Sequence, residues 1–500
     1  MEDAERFVAP VSAFVDEVLE RCRDRYGREE TPLLTDAIDL GTGEPRTWEG
    51  HILSNLACQQ NLLRTLVGLG EMTEREVYRR RALEWVSYAL KVLQDPASGM
   101  LYWGGHTTYD LLEEGPLVGN HELKCVYPYY RFFYRVDPDA TRRFVEGFWN
   151  GHVRDWSTLL FNRHGEYVPW EHEYIGGPLP IIDDFCLSFI NTGSDLIYAG
   201  ALLSDLSGDG RPLLWAKRLL RRYDQIRDED TGLGGYQFNH REPCRVRMSF
   251  KEPLGDRPDV NETTVLTNGT ILTRYGRVAV TLLNLSEELG REGREFSEFV
   301  VRDLTALGKH SYDPSDRCFH AVLTDGTRLS PSDCMEGVGY CSPAKLRKVP
   351  SNGLTFLAYA KAYRLTDDPF LRGMVRDLAL GMGWGDIFGR KADGVSLAGM
   401  GQQDCACALL GLMELYRATG EGRFLRMATD AGDQLLRKYP AEGFFTTADE
   451  DGCTHIDSPL PLALLHLAKK LEGAEVDIPT FYPGSASFDP KVIVARRREL

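Results

Sequence analysis

"LYRATGEGRFLRMA", Leu415 to Ala428, decides the fold. An apolar helical stretch stops at Gly420, a single acidic residue follows, and a second helical stretch opens at once. The same punctuation recurs as "AYRLTDDPFLRGMV" around Thr366, "LSDLSGDGRPLLWA" around Gly208 and "YRVDPDATRRFVEGFW" around Asp137. Weaker copies read "GLGEMTEREVYRRRA" near Thr73 and "LSEELGREGREFSEFV" near Gly290. Six turns, roughly 50 to 80 residues apart, describe one unit repeated along the chain.

Each turn has the same physical logic: a helix ends at Gly or a polar residue, and a short acidic or Pro-containing link caps the next one. In "DPDATRRFVEGFWNGHVRDW", Asp137 can cap and Pro138 fits the first helical position. Phe144, Val145, Phe148, Trp149, His152, Val153 and Trp156 then fall at three- and four-residue steps. "GSDLIYAGALLSDL" repeats the pattern with Leu196, Ala199, Leu203 and Leu206. These are amphipathic helices in antiparallel pairs.

The other ends of the pairs run through longer Gly- and aromatic-rich loops: "DPASGMLYWGGHTTYD", "DEDTGLGGYQFNH" and "ADGVSLAGMGQQD". Short links at one end and long loops at the other predict an all-α chain, an alpha/alpha toroid of about seven helical hairpins with its functional loops on one face. A helix over about 5–25 would pair with one over about 460–471 as the seventh hairpin and close the ring. "CFHAVLTDGTRLS" reads as a small β-hairpin insertion turning at Asp325-Gly326. No Pro/Ser-rich linker divides the chain, so residues 1–476 are expected to form a single domain and 477–500 a C-terminal tail packed on or extending from it.

The formal charge of -16 excludes a nucleic-acid backbone as the natural partner, because that needs a broad basic surface. No apolar run approaches the roughly 20 residues of a membrane span. "MEDAERFVAP" lacks the basic and apolar regions of a secretory signal. Eleven cysteines with no CxxC pair then read as reduced thiols, and a cytoplasmic location is the expectation.

Three histidines lie in or beside the long loops with acidic and aromatic company: His106 in "YWGGHTTYD", His121 in "GNHELK" and His164 in "NRHGEY". Glu122 adjoins the second. Two imidazoles and a carboxylate suffice to hold a divalent first-row metal with positions left open. The bland reading of "LLFNRHGEYV", Leu159 to Val168, is a polar helix end with the histidine against the dipole. In "CRVRMSFKEP", Arg245, Arg247, Ser249 and Lys251 alternate along what reads as an extended stretch, a row able to grip carboxylates or else to blunt an edge strand. Tyr102, Trp103, Tyr109, Trp170 and Tyr236 are candidates for stacking on sugar rings.

At these residues the chain resembles the family 2 polysaccharide lyases, pectate lyases with an alpha/alpha toroid. The resemblance rests on "YWGGHTTYD", "NHELKCVYPYY", "FNRHGEY", "LSFINTGSDLIYAGALL", "TGLGGYQF" and "HIDSPLPLALLHL". It implies a carbon-oxygen lyase that cleaves 4-linked uronides, such as pectate and oligogalacturonides, by β-elimination. It also implies a divalent ion, commonly Mn2+, held by His106, Glu122 and His164, with Arg163 as base. His121 stays open as a replacement ligand, and Tyr167, Tyr174 and Lys124 as alternative acids or bases. Tyr167, Trp103, Arg245, Arg247 and Lys251 are the expected substrate contacts, and the partner is an acidic oligosaccharide or polysaccharide.

Three rival readings stand beside this one. A glycoside hydrolase of this toroid class would use paired carboxylates such as Asp183, Asp184 or Glu173 without metal. A ferrous oxygenase would use the two histidines and the carboxylate. An oligosaccharide-binding protein would hold uronides without turnover.

Overall fold

All six turns form where the punctuation places them. A computed structural model describes residues 2–170, 176–180, 186–240, 243–389, 394–441, 443–445 and 452–484. The chain opens with α1 (Glu2–Arg21). Three hairpins follow: α2 (Gln60–Thr73) with α3 (Glu76–Val92), α4 (Tyr130–Val136) with α5 (Pro138–His152), and α6 (Ile190–Ser207) with α7 (Arg211–Gln225). Two five-residue helices, α8 (Pro243–Arg247) and α9 (Asn268–Leu272), lie within and after an insertion. Three more hairpins then follow: α10 (Ala279–Leu289) with α11 (Arg294–His310), α12 (Gly353–Thr366) with α13 (Pro369–Gly381), and α14 (Gln402–Thr419) with α15 (Gly422–Lys438). The last helix, α16 (Leu460–Glu472), packs along α1 as the seventh pair.

Local chemistry explains the links. Asp137 accepts the Ala140 N–H at the start of α5, and Asp368 accepts those of Phe370 and Leu371 at the start of α13. Asp367 closes α12 in the left-handed region at φ 53°, a conformation Asp tolerates through its short polar side chain.

The first member of each pair lines an inner ring. Residues Ile190–Ser204 of α6 and Cys405–Leu415 of α14 are all buried, so these helices are covered on every side. Their partners bury one stripe; on α1 it is Phe7, Val11, Phe14 and Val18. α16 packs on both α2 and α14, and the inner helices follow one another around the ring. Arg64 of α2 completes the circuit toward α4: its buried guanidinium donates to Tyr127 O at 2.6 Å and lies against the Tyr129 and Tyr482 rings. Tyr482 belongs to the tail, whose described residues 477–484 pack onto the ring, with Asn284 donating to Phe481 O at 2.8 Å.

The inner helices run parallel, so every long loop enters at their N-terminal face. On that face two stretches, 243–266 and 321–346, form a lobe with a small core of its own, including Val246, Phe250, Val265, Leu323 and Cys341. Its hairpin turns at Asp325-Gly326 as expected, Gly326 taking φ 87° and Leu323 N–H donating to Thr327 O. The expected extended row at 245–251 is absent. Pro243 starts the short helix α8 instead, after which Ser249 is buried and Lys251 donates to Ser332 O. Period-two charges after a helix-starting proline do not make a strand.

Near the start of α2 two acids, Asp36 and Asp457, accept backbone N–H groups. Asp457 accepts Leu62 N–H at 2.7 Å, and Asp36 takes Asn55 N–H and the Gln59 amide on one oxygen while its other oxygen has no partner among the described residues. Burial pushes Asp36 up to about 7 despite those bonds. A raised folded pKa means the stabilising contribution is complete below about pH 4 and is lost as pH rises through 7. Replacing Asp36 by Asn is therefore expected to gain about 1–3 kcal/mol on the wild type between pH 5 and pH 8. Thermal melts of both proteins at the two pH values check this, and a pH-independent difference would show that Asp36 ionises normally.

Candidate active site

Three short segments build the site at the N-terminal face. Gly104 runs parallel to Glu122, with Gly105 N–H donating to Glu122 O at 2.8 Å. His121 and Gly165 exchange a reciprocal pair of backbone bonds at 3.1 and 2.8 Å. Arg163 N–H donates to Leu187 O just ahead of α6. Two of these approaches require glycine: a Cβ on Gly104, which sits at φ 102°, would lie 2.4 Å from Glu122 O, and one on Gly165 would lie 2.4 Å from the His152 ring. The stretch 159–168 is not a helix end. α5 stops at His152, a two-stranded hairpin (Val153–Asp155 with Leu160–Phe161) intervenes, and "NRHGEY" leaves its second strand.

The segments bring together four of the residues singled out in sequence. Glu122, its side chain fully buried, lies 3.0 Å from His106 Nε2, 3.8 Å from His164 Nε2 and 3.1 Å from an Arg163 Nη. Lys124 Nζ adds a fourth neighbour at 2.7 Å. One ligand atom from each of His106, Glu122 and His164 falls within 4.8 Å of the others. Burial raises the Glu122 carboxyl, but the His106 bond and the Lys124 and Arg163 charges outweigh it and hold it at about 2. Burial, with Arg163 beside it, lowers His164 to about 4 against the opposing pull of Glu122. The site thus offers a carboxylate and a neutral imidazole at neutral pH.

These donors suit a divalent ion. His164 Nε2 and both Glu122 oxygens are buried without a well-formed hydrogen bond among the described residues, and two imidazoles with a carboxylate leave coordination positions free for substrate. His121 is not available as a replacement ligand. It is fully buried, its Nε2 accepts the Trp103 indole N–H at 3.1 Å and its Nδ1 lies 2.9 Å from His152 Nε2.

Other expected contacts are placed elsewhere. Trp103 is fully buried against Phe133 and Phe144, so it packs and orients His121 and cannot meet a sugar. Tyr167 points inward, donating to Leu101 O and packed on Tyr102. Tyr109 is buried, and the Tyr102 hydroxyl is bound by Asp95. Tyr236 lies over Phe189 within electrostatic reach of Arg163, Glu122 and Tyr340. Tyr340 N–H in turn donates to Arg245 O within the lobe that carries Arg245 and Arg247. Trp170 is 40% exposed at the edge of a cluster with Trp156 and Trp215. Tyr174, Glu173, Asp183 and Asp184 lie outside the described residues. His152 escaped sequence reading because it falls on the apolar face of α5, where spacing cannot tell a packing histidine from a bonded one.

Asp313, Asp316 and His320 form a second metal-like group. Arg328 and Lys348 already neutralise its two carboxylates at 2.7 and 3.0 Å. Among the described residues no helix is long and apolar enough to cross a membrane.

Comparison with known proteins places this geometry in a family. The pectate disaccharide-lyase of Dickeya dadantii (strain 3937) is 28% identical over 516 residues, which cover 95% of this chain and 91% of that protein. Among solved structures, cellobiose 2-epimerase from Bacillus thermoamylovorans B4167 matches at 12% identity, with a TM-score of 0.47 over 93% of this chain and 100% of that one. The alpha-1,6-mannanase of Salegentibacter sp. HEL1_6 matches at 11% identity, with a TM-score of 0.43 over 93% and 99%. Those overlays are loose, and the toroid stands on this chain's own helix pairing. A family described as periplasmic pectate lyase matches residues 31–491. That description overturns the cytoplasmic location expected from the first residues, which in the structure form part of α1. With the match running from the first long loop through the tail, the chain belongs to the periplasmic pectate lyase family and is a carbon-oxygen lyase.

Proposed function

We propose that the protein cleaves short 4-linked galacturonides by β-elimination, with His106, Glu122 and His164 holding a divalent ion, Mn2+ foremost, and Arg163 taking the C5 proton. The convergence of two imidazoles and an arginine on the one buried carboxylate of Glu122 supports this reading most directly. When bound, the ion would neutralise the substrate carboxylate and the charge that develops on it as the C5 proton leaves.

The chain's own residues supply the rest. A guanidine nitrogen of Arg163 accepts the C5 proton, the C5–H pair becomes the C4=C5 double bond, and the C4–O bond breaks with O4 taking up a proton. Arg163 is placed for this with an Nη 3.1 Å from Glu122, the carboxylate that it shares with Lys124. Even so, guanidinium holds its proton strongly, and the activity optimum is expected to be alkaline. Arg245 and Arg247 on the adjacent lobe would engage neighbouring carboxylates. The parallel inner helices add their N-terminal dipoles to that face, which favours an anionic chain on an otherwise acidic protein.

Ultraviolet absorbance of oligogalacturonides mixed with the protein tests the reading. The expected rise needs alkaline pH, is lost on chelation, returns with Mn2+, and reports an unsaturated product; the name of the Dickeya relative points to a disaccharide. New reducing ends without a rise in absorbance would mean hydrolysis and would overturn the assignment of elimination to this site.

A further inference from the structure

Behind the ligands lies a pair of histidines that the proposed chemistry does not use. His121 and His152 are both fully buried, stacked edge-on with ring centroids 5.2 Å apart, and walled in by Phe144 and Phe148. Their hydrogen bonds admit one consistent direction. The Trp103 indole can only donate, so His121 Nε2 accepts it at 3.1 Å. His121 Nδ1 therefore carries the proton and donates to His152 Nε2 at 2.9 Å. His152 Nδ1 in turn donates to the Asn162 carbonyl at 2.8 Å.

Both ends of this chain are attached to the site. His121 directly precedes Glu122. Asn162 directly precedes Arg163, and its side-chain oxygen accepts the His164 N–H at 3.0 Å. The end of α5 grips the same loop twice more, through Asn162 N–H to His152 O and Glu166 N–H to Gly151 O. The His152 ring also fills the space under Gly165 that a Cβ would need. Removal of the ring would leave a gap under the one glycine that ties the Glu122 segment to the His164 loop.

We infer that His152, acting through His121 and the Asn162 carbonyl, is a positioning residue that sets the spacing between Glu122 and the Arg163–His164 pair. The inference rests on the reading of His106, Glu122 and His164 as metal ligands. It touches no reacting atom; its function is to hold the ligand loop in a single register, the kind of support whose loss typically costs ~10–100-fold in metal affinity.

Calorimetric titration of the metal-free protein with Mn2+ tests it without turnover. His152→Leu keeps the volume and removes both hydrogen bonds. It is expected to weaken Mn2+ binding ~10–100-fold, to lower kcat more than it raises KM, and to leave the cooperative melt intact, while His152→Gln restores most of the affinity. Wild-type affinity in His152→Leu overturns the inference, as does an equal loss in the Gln variant. Should His152→Leu fail to fold, Trp103→Phe removes only the first donor of the chain, and a Mn2+ affinity unchanged by that substitution overturns the inference. His164→Ala separates the two levels: if it abolishes Mn2+ binding while His152→Leu does not, positioning alone fails, and if neither changes it, the metal reading fails.

Discussion

Arg163→Ala is expected to lower kcat by about 10²–10⁴-fold, the usual worth of a positioned general base, while Mn2+ affinity stays the same or tightens. The second half of that expectation separates a base from a ligand. Arg163 lies 3.1 Å from a Glu122 oxygen, so its removal takes a competing cation away from the carboxylate that would face the ion. KM should move less than kcat if Arg245 and Arg247 engage the substrate as proposed. Arg163→Lys refines the test: lysine gives up its proton near pH 10.4, well below guanidinium, so any activity it retains should rise at lower pH than in the wild type. A fall in kcat of less than tenfold in Arg163→Ala would move the proton transfer to another group, and Lys124, 2.7 Å from the same carboxylate, would be the first to replace.

The ring was legible because its punctuation is local. Gly208, Gly420 and the Asp-Pro links act within one turn of chain, and each formed where the sequence placed it. The closing pair α16 and α1 formed as expected from the need to complete the ring, the first helix spanning Glu2–Arg21 rather than about 5–25. Legibility stopped where the outcome depends on what the far side of a residue meets. Trp103 read as a sugar platform and Tyr167 as a substrate contact because aromatic residues beside a loop look the same whether they face out or in. The structure turns both inward, onto His121 and Leu101. Alternation at Arg245, Arg247 and Lys251 suggested a strand, and Pro243 made it a helix turn.

For the site the division is sharper. The adjacency of Arg163 and His164, and of His121 and Glu122, is visible in one dimension, and a single reciprocal backbone pair between His121 and Gly165 turns two dipeptides into one constellation. No local rule predicts that pairing. It follows from α5 ending at His152 and sending the chain back through a two-stranded hairpin. The need for glycine at 104 and 165 was invisible for the same reason: the atoms a Cβ would strike belong to segments 18 and 13 residues away in sequence.

Glu122→Gln should have the largest consequence of all. The substitution keeps the shape of the side chain and removes the carboxylate charge that His106, Lys124, Arg163 and His164 surround. Without it the donor set falls to two imidazoles, and two cations are left beside a buried amide. Mn2+ affinity should drop at least 100-fold and kcat/KM by about 10³-fold or more, roughly 4 kcal/mol of transition-state stabilisation. Stability should fall far less, by about 1–2 kcal/mol, because Lys124 and Arg163 are partly exposed and can turn to water. Excess Mn2+ should recover part of the activity in Glu122→Gln and none in Arg163→Ala, since only the first variant lacks metal. A Glu122→Gln protein that binds Mn2+ within threefold of wild type and still produces unsaturated sugar would remove Glu122 from the metal site. The buried carboxylate would then act as the anchor for Arg163 and Lys124, and the ion would have to be sought elsewhere on the same face.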